Sequence, residues 1–161
     1  MAKKQGNYML RQVISGAQTG SDFGGLLAAE QAGIPTGGYC PKNCRTEVGD
    51  KPEFIDRFGL QETSTNNYVP RTYANAKLGD GTIRFAFDFD SIGEVCTKNA
   101  CDKYCKPVID VDVENPRPVQ EVIEWIKEHN IKVLNVAGNR ESKYPGMEKF
   151  VVDYLGKVFA V

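Results

Sequence analysis

The chain has 161 residues, 41% hydrophobic and 25% charged, and its 20 basic and 21 acidic side chains leave a formal net charge of -1. This composition excludes wholesale disorder, and the near-neutral balance excludes a general nucleic-acid or membrane-surface binder. The length suits one domain with one core, and no apolar run approaches the roughly 18 residues of a membrane span.

Residues 1–10 carry two lysines but no apolar segment or cleavage motif. They read as a flexible tail ahead of a domain at 11–161, with the cytoplasm as the expected compartment. Gln12 to Ser15 predicts a buried strand. The loop Ser15-Gly16-Ala17-Gln18-Thr19-Gly20-Ser21-Asp22 follows it and opens an apolar helix from Ser21 to Ala32. Glycines at 16 and 20 allow a ligand close to the main chain, and the helix start offers N–H groups and a favourable dipole. The loop therefore reads as an anion cradle, although it is neither G-x-G-x-x-G nor the lysine-bearing triphosphate loop. Asp22 would repel a dianion; it caps the helix, holds the loop, or accepts hydrogen bonds from a ribose or an amino group. That tilts the ligand towards something nucleotide-like. Gly24 and Gly25 inside the helix cost about 1 kcal/mol each relative to alanine and imply close packing there.

Ile34 to Tyr39 predicts a second strand, running into Cys40-Pro41-Lys42-Asn43-Cys44-Arg45. Thr46 to Thr65 is turn-rich, yields no clear element, and is the natural place for a ligand-lining loop. Asn67 to Leu78 predicts a helix and Thr82 to Phe87 a strand. The loop Asp88 to Gly93 leads to a helix from Glu94 to Cys105. Pro107 to Val111 is the next strand, and Arg117-Pro118 opens a helix with Val119, Val122, Ile123 and Ile126 at helical spacing. Ile131 to Val136 is a near-continuous apolar strand, as in a buried parallel sheet, before a helix from Pro145 to Leu155. Alternating strands and helices predict an α/β fold, a mostly parallel sheet covered by helices. Five cysteines, an odd number, point to reduced thiols. The Cys40/Cys44 and Cys101/Cys105 spacings fit zinc only loosely, against a reading as small buried side chains, and no metal site is assigned. His129 reads as a C-terminal dipole partner.

Ligands of open parallel sheets bind beyond the carboxyl ends of the strands. The loops Ser15 to Asp22, Gly37 to Arg45, Asp88 to Gly93 and Gly138 to Ser142 all follow strands and are expected to face one cleft. The hydroxyls of Ser15, Thr19 and Ser142 and the cations Lys42 and Arg140 suit an anionic ligand there. Lys42 and Arg45 also read as solvated loop charges, and Arg140 as a partner of Glu141 or a helix cap.

With Ile14 to Asp22, Gly33-Ile34-Pro35-Thr36-Gly37-Gly38-Tyr39-Cys40-Pro41-Lys42, Arg71-Thr72-Tyr73-Ala74-Asn75, Asp80-Gly81-Thr82, and Leu134 to Ser142 with Pro145-Gly146, the chain resembles the putative molybdenum carrier proteins. These form a circularly permuted YpsA-like branch of the SLOG superfamily, and the likeness covers Val13 to about Leu155. The resemblance implies a single Rossmann-like domain with helices on both faces, forming a homo-oligomer, dimer or tetramer. It also implies a phosphorylated small molecule as partner: a nucleotide-derived ligand or a phosphorylated pterin such as molybdenum cofactor. No cofactor is expected to be required for folding. Ser15, Gly16, Ala17, Gln18, Thr19 and Gly20 are expected to hold the anion, and Asp22 and Glu94 to orient polar groups. Arg71, Asn75 and Arg140 are expected to line the cleft, with Gly37, Gly38, Lys42, Thr72, Gly93, Gly138 and Ser142 completing the ligand set. Ser91-Ile92-Gly93-Glu94 stands where the family tends to carry Gly-Gly-Thr, which places a carboxylate at a helix start. Capture, as carrier, sensor or sequestering protein, is the reading that results. The alternative is an enzyme like the Lonely Guy phosphoribohydrolases, cleaving the N-glycosidic bond of a nucleoside monophosphate with Glu94 and Arg71.

Overall fold

A computed structural model describes residues 10–160, so the expected tail, Leu10 apart, lies outside the described residues. The strands are β1 (Gln12–Ile14), β2 (Thr36–Cys40), β3 (Arg45–Thr46), β4 (Gly49–Asp50), β5 (Leu60–Glu62), β6 (Gly81–Ala86), β7 (Val108–Asp112) and β8 (Val133–Gly138). The helices are α1 (Ser21–Ala32), α2 (Glu53–Phe58), α3 (Tyr68–Leu78), α4 (Ile92–Lys103), α5 (Val119–Glu128) and α6 (Met147–Phe159). Six strands form one sheet in the order β5-β2-β1-β8-β6-β7, and each pairing in it is parallel. β3 and β4 make a separate antiparallel hairpin. This is the predicted α/β domain of Rossmann-like form.

Side-chain alternation decides which helices cover which face. On β6, Ile83 and Phe85 point into the main core with Val122, Ile126, Val151 and Leu155 of α5 and α6. Thr82 and Arg84 point the other way, where Thr82 meets Cys101 of α4 and Arg84 donates to the Glu94 carbonyl. The second face is therefore polar, covered by α3 and α4 over a small cluster of Ala76, Ala100 and Cys101. Asn67 caps α3 by accepting from the Val69 amide at 3.0 Å, and Gly33 closes α1 in the left-handed conformation.

The turn-rich stretch after Thr46 contains β4, α2 and β5. Local pattern does not announce such short pieces; their stability comes from tertiary contacts. The rings of Phe54 and Phe58 of α2 pack with Phe23 of α1 at centroid distances of 5.0 and 5.9 Å from it. β5 adds to the sheet edge opposite Gly38 to Cys40. Among the described residues no helix is long and apolar enough to cross a membrane.

The paired glycines of α1 behave as their cost implied. A Cβ at Gly24 would stand 2.9 Å from the Val151 Cβ of α6, and one at Gly25 would stand 2.7 Å from the Val136 Cβ of β8. Gly156 of α6, by contrast, has open space in front of it. Gly25→Ala is expected to destabilise the fold by about 1–3 kcal/mol through overpacking. Gly156→Ala is expected to stabilise it by about 0.5–1 kcal/mol through helix propensity. Urea denaturation of both variants checks the opposite signs.

Candidate functional site

The loop between β1 and α1 is closed upon itself. The Ser15 hydroxyl donates to the Asp22 carbonyl at 2.9 Å and accepts from the Ala17 amide at 3.2 Å. The Asp22 carboxylate accepts from the Gln18 amide at 3.3 Å and from the Gly16 amide. The Gln18 side-chain oxygen accepts from the Thr19 amide at 3.0 Å, and the Ser21 amide donates to the Asn139 carbonyl at 3.1 Å. The expectation of an open amide cradle is thus corrected: the amides of Gly16 and Gln18 are taken by the Asp22 carboxylate, and those of Ala17, Thr19 and Ser21 by Ser15, Gln18 and Asn139. Of the three readings of Asp22 in the sequence, holding the loop is the one the structure shows.

A cavity of about 660 Å³ opens beside this loop, at the carboxyl ends of the central strands and under the first turns of α3 and α4. Its lining includes Gln18, Asp22, Arg71, Thr72, Gly93, Glu94, Gly138 and Arg140 from the expected set. Arg71 leans across Gly16, where a Cβ would meet its Cδ at 2.6 Å, so the glycine is required for this approach. The guanidinium reaches Asp22 at 3.7 Å and donates to the Thr72 hydroxyl at 3.0 Å, and its Nε, fully buried, has no partner among the described residues. Gly138, with φ at 145°, ends β8 so close to Phe85 that a Cβ would lie 2.0 Å from its carbonyl oxygen. No other residue fits there.

Glu94 occupies the first turn of α4, only 3% exposed. Its Oε2 receives a long 3.5 Å contact from the Asn139 amide group, while Oε1 has no partner among the described residues. Burial pushes its pKa up to about 7; Arg84 and Arg71 oppose that shift, and Asp22 and Asp110 add to it. Burial likewise raises Asp22, against the pull of Arg71 and the loop amides. Arg84 is itself clamped by two 2.7 Å bonds to Asp110. The start of α4 has no side-chain cap, and the space in front of Gly93 is open.

Glu47, at the tip of the β3–β4 hairpin, is a residue that sequence reasoning missed. Its carboxylate accepts from the hydroxyls of Thr19 and Ser142, from the Ser142 amide at 3.0 Å, and pairs with Arg140 at 3.2 Å. Burial opposes its ionisation, but these donors prevail and hold it below the usual carboxylate range. Asn139 is another: its side-chain oxygen accepts from Phe87 at 3.1 Å, tying the loop after β6 to the loop after β8. Tyr68, Val69 and Lys143 also line the cavity.

The remaining expected residues stand outside the main cavity. Ser15 and Ala17 are sealed within the loop, and Thr19 and Ser142 bind Glu47. Gly20 caps α1 against the backbone of residues 139–141. Gly37 and Gly38 lie buried in β2, and Lys42 is exposed on the turn after it. Asn75 borders a crevice beneath Arg71 together with Gly16, but its amide is engaged by the backbone of Tyr39 at 2.8 and 2.9 Å. Packing of β2 beneath α3 and docking of the hairpin account for these placements. The cysteines are all free, and among the described residues no group of three or more His, Cys, Asp or Glu is arranged to hold a metal.

Glu94 makes stability depend on pH in a defined direction. Its folded pKa, about 7, lies above the ordinary 4.5, so its contribution is complete below about pH 4.5 and lost as the pH rises through 7. The loss amounts to about 3 kcal/mol. Glu94→Gln is expected to become progressively more stable than the wild type between about pH 5 and pH 8, by up to that amount. Urea titrations at each pH check it; a pH-independent offset would contradict the assignment.

No curated protein matches the chain. A crystal structure described as a "putative molybdenum carrier protein" from Syntrophus aciditrophicus SB is 33% identical, with a TM-score of 0.84 over 94% of this chain and 96% of that one. The model of the circularly permutated YpsA SLOG family matches residues 13–159. A match over nearly the whole length, together with that structural likeness, shows that the chain belongs to the circularly permuted YpsA branch of the SLOG family.

Proposed function

We propose that the chain captures a phosphate-bearing small molecule, nucleotide-derived or a phosphorylated pterin such as molybdenum cofactor, in the cleft between the starts of α3 and α4. The observation that carries this reading is that two residues lining the cavity, Arg71 and Glu94, each hold a buried polar atom, Nε and Oε1, with no partner among the described residues. Buried polar atoms without partners are uncommon in native proteins, and a ligand offering both a donor and an acceptor satisfies both. The anion end is assigned to the uncapped start of α4 with Arg140 and Lys143 at the rim. Asp22, Arg71 and Glu94 form the polar floor. The molybdenum-carrier description of the similar structure agrees with a small-molecule cargo.

Calorimetry with nucleoside monophosphates and a pterin phosphate ester, each beside its dephosphorylated form, tests the proposal. The phosphorylated forms are expected to bind at least roughly tenfold tighter, and the double variant Arg140→Ala, Lys143→Ala to remove most of that difference. Failure of every phosphorylated probe to bind would overturn the reading. Native mass spectrometry of the freshly purified chain reports co-purified cargo and subunit number together.

A second reading rests on Glu94, held near neutrality beside the charge of Arg71. A carboxyl with that pKa suits general acid–base work on the N-glycosidic bond of a nucleoside monophosphate. Chromatography of incubated nucleotides for free base separates the two readings. Release abolished by Glu94→Gln is the enzyme's signature; tight binding without release leaves capture.

A further inference from the structure

We propose that Glu94 is the specificity-determining residue of this cleft and selects planar heterocycles with a 2-amino-lactam edge: a carbonyl, a ring N–H and an exocyclic amine in a row, as in guanine and the pterins. The inference rests on the reading of the cleft as a ligand site and names the chemistry of the group that enters it.

The acceptor side comes first. Glu94 Oε1 is buried without a partner, and Oε2 has only the 3.5 Å contact from Asn139, so both oxygens retain acceptor capacity. A carboxylate with both oxygens available takes two parallel N–H donors best. Arg71 then restricts which ligand carries these donors. Its buried Nε has no partner among the described residues, and an acceptor on the same ligand would satisfy it. The 2-amino-lactam edge supplies all three functions in one plane: the carbonyl for Arg71, and the N–H and amine for Glu94. An adenine edge offers one donor beside a lone pair, which would face a carboxylate oxygen. A ribose diol offers two donors but no carbonyl.

The walls suit a flat ring. The first turn of α3 contributes Tyr68 and Val69, the latter 48% exposed, and the first turn of α4 contributes Ile92, 90% exposed. The Tyr68 ring is steadied by Arg45 and Arg71, whose guanidinium carbons lie 4.8 and 5.5 Å from its centroid. Apolar walls around a few fixed polar groups are the usual construction of a heterocycle site. Ile92 lines the cavity with most of its side chain open, and a ring laid against it would cover it.

The test compares ligands that differ only at this edge. Calorimetry on the wild-type chain uses GMP against IMP, which lacks the exocyclic amine, and AMP. A second arm uses a pterin phosphate ester against its lumazine counterpart, which carries oxygen in place of that amine. The 2-amino member of at least one pair is expected to bind roughly tenfold tighter or more, the effect of one charge-assisted hydrogen bond. In E94Q, which is expected to fold because it removes a buried charge, the preference is expected to fall below roughly threefold, and a preference that persists in the folded variant would overturn the assignment to Glu94. Whichever pair shows the preference identifies the source of the edge, nucleotide or pterin. Equal binding within both pairs by the wild type would overturn this inference and leave the capture reading standing. Binding of none of the five probes would overturn both. The wild-type ratios decide whether the cleft selects this edge even if E94Q fails to fold.

Discussion

One guanidinium is left to serve two buried carboxyls, because Arg84, the other cation near Glu94, is held by Asp110. Arg71 lies over Gly16, touches Asp22 at 3.7 Å and sends its charge to Glu94, and the cleft is organised around this unequal ratio. Burying a charge without full pairing is costly, and proteins answer that cost by pairing the group, neutralising it or presenting it to a ligand. Asp22 is the paired case, with two loop amides and Arg71. Glu94 is the incompletely answered one, and its pKa of about 7 is the physical expression of that state.

Magnitudes separate the floor of the cleft from its rim. The ion pairs at the mouth, Arg140 with Glu47 at 3.2 Å and Lys143 with Asp88 at 3.8 Å, involve half-exposed cations. Such pairs contribute at most about 1 kcal/mol each and exchange readily for another anion. The buried groups are tuned more strongly, because little water screens them. The rim therefore suits attraction and the floor suits discrimination. Glu47 also links the hairpin to the loops after β1 and β8, so the hairpin braces loops that line the cleft although none of its own residues lines the cavity.

Much of the frame was legible in the chain. The apolar run ending at Val136, the helical stretch from Asn67 to Leu78, and the β-branched and aromatic residues of β6 each placed an element within a few residues of its observed bounds. Arg71, Glu94 and Arg140 were singled out from separate segments, and the fold brings them to one cavity. The first loop was read correctly as a strand-to-helix turn but incorrectly as open. Residue pattern shows that amides exist at a helix start. It does not show whether the carboxylate two residues into the helix has already turned back to accept from them. Glu47 was invisible for a related reason: a hairpin of two-residue strands carries no periodicity, and its partners, Thr19 and Ser142, are 28 and 95 residues away.

By itself the sequence determined the α/β class, the parallel order of elements and the family, because strand runs, helical spacing and motif residues are local properties carried along the chain. Tertiary structure alone decided where the site opens. Burial, the direction of a carboxylate and the absence of a partner for Arg71 Nε and Glu94 Oε1 depend on which distant side chains arrive beside them, and that is settled only when the sheet closes and α3 and α4 come together over its polar face.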